Sequence, residues 1–195
     1  MKQLVLASNN AKKLKELGEL LTPLGIELIP QGQLDIPEAA EPFPTFVENA
    51  LAKARHAARL SGLPALADDS GLCVRALAGA PGVLSARYAG EPKSDARNNA
   101  HLLTALAGQV DRAAHFVSVL VLVRHSDDPQ PIIAEGNWHG EILTEARGGD
   151  GFGYDPLFWI PTVGKSAAEM APQEKNTCSH RGIAMQKLLV QLPDL

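Results

Sequence analysis

The sequence predicts an α/β fold built on a mixed sheet, and three observations carry that prediction. Short apolar strands alternate with amphipathic helices through the first half of the chain, the pattern of parallel strands joined by helical crossovers. The longest β-like run, "AHFVSVLVLVRH", is followed by "DDPQP" and by "IIAEGNWHGEIL", which reads as an antiparallel hairpin. A last helical stretch, "SHRGIAMQKLLVQL", closes the order, and no repeat, low-complexity segment or linker interrupts it.

Each element follows from its local pattern. Residues 2–7 (KQLVLA) form a short strand rich in Leu and Val. In "SNNAKKLKELGELLTPLG", Leu14, Leu17, Leu21 and Leu24 recur at helical spacing and Gly25 is the stop. "IELI" is a second strand. Residues 30–44 hold Pro30, Pro37, Pro42 and Pro44 and are expected to form an ordered loop. Thr45 with Glu48 three residues on is a capping box, and it opens a second helix that runs to Gly62. "PALAD" is a strand expected to end on the adjacent acids Asp68 and Asp69. The loop "AGAPGVLSARYAGEPKS" leads to a helix from Asp95 to Leu106. Ser166 and Glu169 repeat the capping-box pattern. The closing helix takes Ser179 as its cap and buries Ile183, Leu188, Leu189 and Leu192.

Composition bounds the function. A chain of 195 residues is one large domain or one domain with two lobes, and an apolar fraction of 45% supports a sizeable core. The net charge of −4, from 18 bases against 22 acids, argues against a general nucleic-acid binder. It leaves room for a small anion in a local basic pocket. Cys73 and Cys178 fit neither a metal-ligand spacing nor a disulfide framework, which points to a reducing cytoplasm. The N-terminal apolar run is too short for a signal peptide. No stretch approaches the roughly 20 apolar residues of a membrane span.

Three places carry chemistry. At "LASNNAKK" a strand meets a helix start, where free N–H groups and the positive dipole end favour phosphate. Lys12 and Lys13 stand against that dipole, while Ser8 and Asn10 can add donors. The alternative is that Ser8 or Asn9 is merely the N-cap and the lysines are solvated. No Walker-type P-loop is present. The last helix repeats the anomaly, with His180 and Arg181 in its first turn and Lys175 just ahead, each opposed by a few tenths to about 1 kcal/mol. An anionic or carbonyl-bearing ligand would offset that; a merely basic surface turn would not need one.

Asp68 and Asp69 need a cation or a shared proton nearby. Together with the basic helix starts they suggest a metal–polyphosphate site, in which Mg²⁺ takes Asp68, Asp69 and either Glu41 or Glu48 as ligands. Glu48 has a competing role as the capping partner of Thr45. Asp68 has one as a strand-end acid accepting backbone N–H groups. The third place, "GGDGFGYDP", offers Phe152 from a glycine-rich loop for stacking on a base, or else plugs the core with Phe152 and Tyr154. His56, His101, His115, His125 and His139 form no metal spacing and read as structural or surface residues.

The ordered set "SNNAKKLKE", "TFVENALAKA", "ADDSGL", "GAPGVLSARYAG", "GGDGFGYDPLF" and "EKNTCSHRGIA" resembles the inosine triphosphate pyrophosphatase family over residues 4–190. The resemblance is nearest to its bacterial dITP/XTP pyrophosphatases. It implies a single two-lobed domain spanning 1–195, with a long central mixed sheet, flanking helices and an active site in the cleft between the lobes. It also implies a homodimer and Mg²⁺-dependent hydrolysis of purine nucleoside triphosphates bearing deaminated bases (dITP, ITP, XTP) to monophosphate and pyrophosphate.

By that resemblance Ser8, Asn9, Asn10, Ala11, Lys12 and Lys13 bind phosphate, and Lys53 is aimed at the phosphates. Asp69 is the catalytic, metal-binding acid, with Asp68 and Glu41 as further ligands. Ser70, Phe152, Gly153, Tyr154, Asp155, Lys175, His180 and Arg181 contact the substrate and its base. Asn9 stands where relatives often carry Gly, Lys12 is an extra base, and Pro42 and Pro44 stiffen the loop after Glu41.

These expectations make Asp69 the group that orients or deprotonates water, with Lys13 and Lys53 stabilising the departing pyrophosphate. The dipole argument further expects removal of Lys13 to leave stability intact. A pyrophosphatase of other modified nucleotides and a non-catalytic nucleotide sensor are the alternatives. The "SHR" and "FGYDP" motifs weigh against the first and the paired acids against the second.

Overall fold

A computed structural model describes residues 2–192. The sheet has seven strands: β1 (Lys2–Leu6), β2 (Ile26–Pro30), β3 (Ala65–Val74), β4 (Ala113–Val123), β5 (Ile132–Ile142), β6 (Phe158–Ile160) and β7 (Lys165–Ser166), ordered β2-β1-β3-β4-β5-β6-β7. β1 runs parallel to β2 and β3, whereas β5–β6 and β6–β7 are antiparallel. Ile142 N–H donates to the Arg112 carbonyl at 2.9 Å, so the end of β5 lies beside the start of β4, as the hairpin reading requires. The mixed α/β sheet expected from the sequence is therefore the one observed.

Among the described residues, five α-helices accompany the sheet: α1 (Ala11–Leu21), α2 (Phe46–Ser61), α3 (Asp95–Ala105), α4 (Pro172–Cys178) and α5 (His180–Val190). The chain divides into two compact units. One comprises Met1–Asp69, Ser118–Gly136 and Ile183–Leu195; the other comprises Ser70–Val117 and Asn137–Gly182.

The core of the first unit packs Leu4, Leu6 and Leu66 of the strands against Leu17 and Leu21 of α1 and Ala184, Met185 and Leu188 of α5. Leu17 and Leu21 are fully buried, each contributing about 1.5–3 kcal/mol by transfer from water. Leu24 departs from the expected stripe. It sits in a 3-10 turn beyond α1 and is 55% exposed, because the tighter turn rotates it off the α-helical face. Gly25 ends that turn at φ 72, where a Cβ would be strained. α2 begins and ends as expected: Thr45 Oγ1 accepts from Glu48 N–H and Gly62 closes it in the left-handed region.

The core of the second unit gathers Leu72, Val74, Leu102, Phe116, Trp138, Tyr154, Phe158 and Met170. Three features differ from the sequence expectation. From the sequence no element is expected at α4, β6 or β7: strands of three and two residues and a two-turn helix show too little alternation or helical repeat. Leu188 of α5 and Leu192 just beyond it are buried as expected, but Ala184 and Met185 share the burial while Ile183 and Leu189 are only half-buried. β3 does not end at the acids. It continues through Asp68, Asp69 and Ser70 to Val74, although its ladder with β1 stops at Leu66.

Candidate active site

The residues expected to bind phosphate belong to the first unit. One residue past the end of β1, Ala7 N–H donates to the Leu66 carbonyl, and the turn into α1 begins at the carboxyl ends of the parallel strands β1 and β2. That is where open α/β sheets bind ligands. Within the turn, Asn10 N–H donates to Ser8 Oγ at 3.1 Å. Asn10, rather than Ser8 or Asn9, caps α1: its Oδ1 accepts from Lys12 and Lys13 N–H at 3.0 and 3.3 Å. Asn9 Oδ1 is committed elsewhere, to Gly32 N–H at 2.9 Å. The Asn9 side chain thus anchors a neighbouring 3-10 turn, Gln31–Leu34.

Two lysines reach β3 from different helices. Lys13 Nζ, from the first turn of α1, lies 3.0 Å from Asp68 Oδ2 and 3.2 Å from the Asp68 carbonyl. Asp68 Oδ1 accepts from Ser118 Oγ at 2.9 Å, and its side chain is wholly buried. The charge of Lys13 that opposes the helix dipole is therefore compensated by a buried carboxylate. Lys53 Nζ, from α2, bonds Asp69 Oδ1 at 2.9 Å, Glu41 Oε1 at 2.6 Å and the Asp68 carbonyl at 3.0 Å. Glu48 instead turns to its own cap, accepting from Thr45 Oγ1 at 2.5 Å. Of the two candidate glutamates, Glu41 is the one gathered with Asp69.

This ion-pair chain sets the electrostatics. Burial penalises the charge on Asp69 and raises its carboxyl above the ordinary range; Lys53 opposes that rise and Glu41 adds to it. Burial alone would lower Lys53, but Asp69 and Glu41 outweigh it and hold the ammonium above its usual value. Glu41, Asp68 and Asp69 face Lys13 and Lys53.

Asp69 Oδ2 is buried with no hydrogen-bond partner, an arrangement that costs free energy unless something is bound there. Among the described residues, no three His, Cys, Asp or Glu side chains come together closely enough to enclose a metal ion. A carboxylate oxygen of this kind nevertheless suits a hard cation that keeps waters and phosphate oxygens among its ligands.

The residues expected to contact the base belong to the second unit. The "GFGYD" loop is held by side chains acting on its backbone. Asp155 Oδ2 accepts from Phe152 N–H at 2.9 Å and from Lys175 Nζ at 2.5 Å. Glycine suits position 151 because its φ of +83 would strain any side chain. Phe152 is half-buried, and Lys175 Nζ stands 5.3 Å from its ring centroid, within cation–π range. Tyr154 takes the core-plugging role of the two open readings. It is 4% exposed and its hydroxyl donates to the Ser85 carbonyl at 2.8 Å, so its ring is not presented to a ligand.

Lys175 lies within α4, three residues before its end. The junction to α5 is tight: Ser179 Oγ accepts from Gly182 N–H at 3.2 Å, and a Cβ on Gly182 would fall 2.0 Å from the Asn176 carbonyl oxygen. This fixes His180 and Arg181 in the first turn of α5. His180 stacks on Phe116 with centroids 4.9 Å apart and planes 16° from parallel. Arg181 is buried and donates from Nη2 to Ser70 Oγ at 3.4 Å.

Sequence reasoning missed the groups that hold the loop from α3. Asp95 Oδ2 accepts from Gly153 N–H at 2.7 Å, and Asn99 Nδ2 donates to the Gly153 carbonyl at 2.8 Å. Their four-residue spacing on a helix was the available signal.

Known proteins agree with this architecture. Residues 4–191 match the Ham1 family. The chain is 70% identical to a dITP/XTP pyrophosphatase of Aromatoleum aromaticum over 97% of this chain and 96% of that protein. It is 64% identical to one of Ralstonia nicotianae, over 98% and 97%. Among solved structures, a HAM1 protein from Coxiella burnetii superposes with a TM-score of 0.95 at 52% identity, covering 98% of each chain. A nucleoside-triphosphatase / dITP/XTP pyrophosphatase from Mycobacterium abscessus gives 0.79 at 42%, covering 98% of this chain and all of that one. The resemblance carried by the six motifs is thereby borne out, and the chain belongs to the Ham1 family.

Proposed function

We propose that this chain hydrolyses dITP, ITP and XTP to the monophosphate and pyrophosphate, removing deaminated purines from the nucleotide pool. The relatives named dITP/XTP pyrophosphatase support that substrate class. The observation that carries the mechanism is Asp69 Oδ2, a buried carboxylate oxygen without a partner beside two lysines.

In this reading the triphosphate goes to Ser8, Asn10, Ala11, Lys12, Lys13 and Lys53, and the base to Ser70, Phe152, Gly153, Asp155, Lys175, His180 and Arg181. Mg²⁺, taken by Asp69 with Glu41 in support, would neutralise phosphate charge and polarise the α-phosphoryl group. Asp68 holds Lys13 in place, both its oxygens being engaged. Asp69 accepts the proton of the attacking water. Lys13 and Lys53 lie where charge develops on departing pyrophosphate, and being already oriented by carboxylates they need little reorganisation.

Selectivity follows from donors. Lys175, His180 and Arg181 can satisfy a six-keto oxygen, whereas an adenine amino group would face donor against donor, a mismatch able to give about 10⁴-fold discrimination. Guanine shares that oxygen and must be excluded at its two-amino group, a task that suits backbone atoms of the "GFGYD" loop. A homodimer and a cytoplasmic location complete the reading, the latter because nucleoside triphosphate pools lie there.

The test is pyrophosphate release from ITP, XTP, dITP, GTP and ATP with and without Mg²⁺. Efficient turnover of the first three, dependent on the ion, is expected. Equal efficiency on ATP and ITP would overturn the donor argument, and binding without turnover would favour a sensor.

A further inference from the structure

α3 is not among the elements assigned to the substrate, yet it grips the loop that carries Phe152. Asp95 and Asn99 are one helical turn apart and face the same way. Between them they bond both backbone polar groups of Gly153: Asp95 Oδ2 takes its N–H at 2.7 Å and Asn99 Nδ2 gives to its carbonyl at 2.8 Å. Gly153 has φ +60, a conformation that needs external support to be the sole one populated. On its other flank, Phe152 N–H is fixed by Asp155. The peptide planes on both sides of Phe152 are thus set by two carboxylates, Asp155 and Asp95, and Asn99 fixes the plane that follows Gly153.

The helix itself is well seated for this. Asn98, the residue next to Asn99, accepts from Ala89 N–H at 2.8 Å and donates to the Ala86 carbonyl at 3.0 Å. Ser94 caps the helix through Arg97 N–H. Asp95 lies in the first turn, where a negative charge is favourable. Asn99 Oδ1 is buried with no hydrogen-bond partner, so this side chain leaves an acceptor unsatisfied while its amide serves Gly153. That is a cost a purely structural residue at an intermediate position would not need to carry.

We infer that Asp95 and Asn99 are positioning residues for base recognition: they clamp Gly153 so that the Phe152 ring is held in one plane for stacking. The inference rests on the proposed function, since it takes Phe152 to be the surface that meets the base. The clamp acts on binding of the purine and leaves the phosphates and the hydrolytic step alone.

Steady-state kinetics on Asp95→Ala, Asn99→Ala and Asp95→Asn test it, with inhibition by inorganic triphosphate as a probe that has no base. In each alanine variant KM for ITP should rise about 10-fold, the effect of losing one well-made hydrogen bond, with kcat within about twofold. The preference for ITP over GTP should fall, inhibition by inorganic triphosphate should be unchanged, and Asp95→Asn, which keeps an acceptor, should restore KM. Amide hydrogen exchange at Gly153 should quicken in Asp95→Ala.

Because alanine favours helix over asparagine, Asn99→Ala should not lower the melting temperature. Parallel loss of kcat and melting temperature would make the contacts purely structural and overturn the clamp, as would an unchanged KM for ITP. Failure of the unaltered protein to release pyrophosphate from ITP would overturn the functional reading itself, an outcome distinct from turnover that the variants leave untouched.

Discussion

The two units hold their polar groups in opposite ways. In the first, side chains pair with side chains: Lys13 of α1 with Asp68 of β3, and Lys53 of α2 with Asp69 of β3 and with Glu41 from the loop ahead of α2. In the second, side chains hold a loop's backbone: Asp155 on Phe152, Asp95 and Asn99 on Gly153. The first arrangement fixes where charge sits and leaves one buried oxygen open. The second fixes the attitude of a ring. In the proposed function, charge chemistry and shape recognition are thus built by different means, and variants in the two should fail differently.

The largest expected effect is in the first unit. Asp69→Asn keeps the shape and removes the open anionic oxygen, so turnover should fall at least about 10²-fold with KM little changed. Near-normal turnover in the folded variant would remove Asp69 from the chemistry and blur the contrast between the units.

Lys13→Ala comes next, and here the structure reverses the helix-dipole expectation. Relief of the dipole is worth at most about 1 kcal/mol. Stranding the wholly buried Asp68 carboxylate can cost about 3 kcal/mol, because an unpaired buried charge is left behind. Thermal unfolding should therefore show a clear loss of melting temperature together with weaker triphosphate turnover. An unchanged melting temperature would mean that Ser118 alone suffices for Asp68.

In the second unit, Lys175→Ala removes a partner of Asp155 and the cation over Phe152. KM for ITP should rise about 10-fold while kcat moves much less. A fall in kcat alone would show that the ring-holding side of the comparison also takes part in chemistry.

The smallest effects are shifts in the acid limb of the kcat/KM profile, which follows ionisation of Asp69. Its carboxyl is raised by burial, lowered by Lys53 and raised by Glu41. Lys53→Met withdraws a favourable charge, so the limb should move to higher pH. Glu41→Gln withdraws an unfavourable one, so it should move to lower pH. Two shifts of the same sign would show that the limb reports another group.

Much of this was legible in the sequence because it is local. The capped start of α2, the glycine stops at 25 and 62 and the hairpin around "DDPQP" each depend on a few neighbouring residues. The adjacent acids and the basic helix starts also announced a polar site before any fold was known. What the sequence did not reveal is long-range. Nothing near Lys13 indicates that it reaches Asp68, 55 positions away, or that α3 bonds Gly153. The expectation that β3 stops at its acids failed for a related reason. Asp68 and Asp69 are poor strand formers taken alone, but Lys13 and Ser118 satisfy the Asp68 carboxylate and Lys53 engages one oxygen of Asp69 within the strand. The choice of Tyr154 for the core was likewise decided by a distant acceptor, the Ser85 carbonyl.

The α4–α5 junction sets how this protein can change. At Gly182 there is no clearance for even a methyl group against the Asn176 carbonyl, so Lys175, His180 and Arg181 hang from a joint that admits one residue type. A lineage exploring new bases cannot adjust this trio by small backbone drift, since the first step in that direction is a collision. Its accessible variation lies in replacing side chains one at a time on a fixed frame. Specificity here should evolve in discrete jumps between donor patterns, with few intermediates of broadened tolerance.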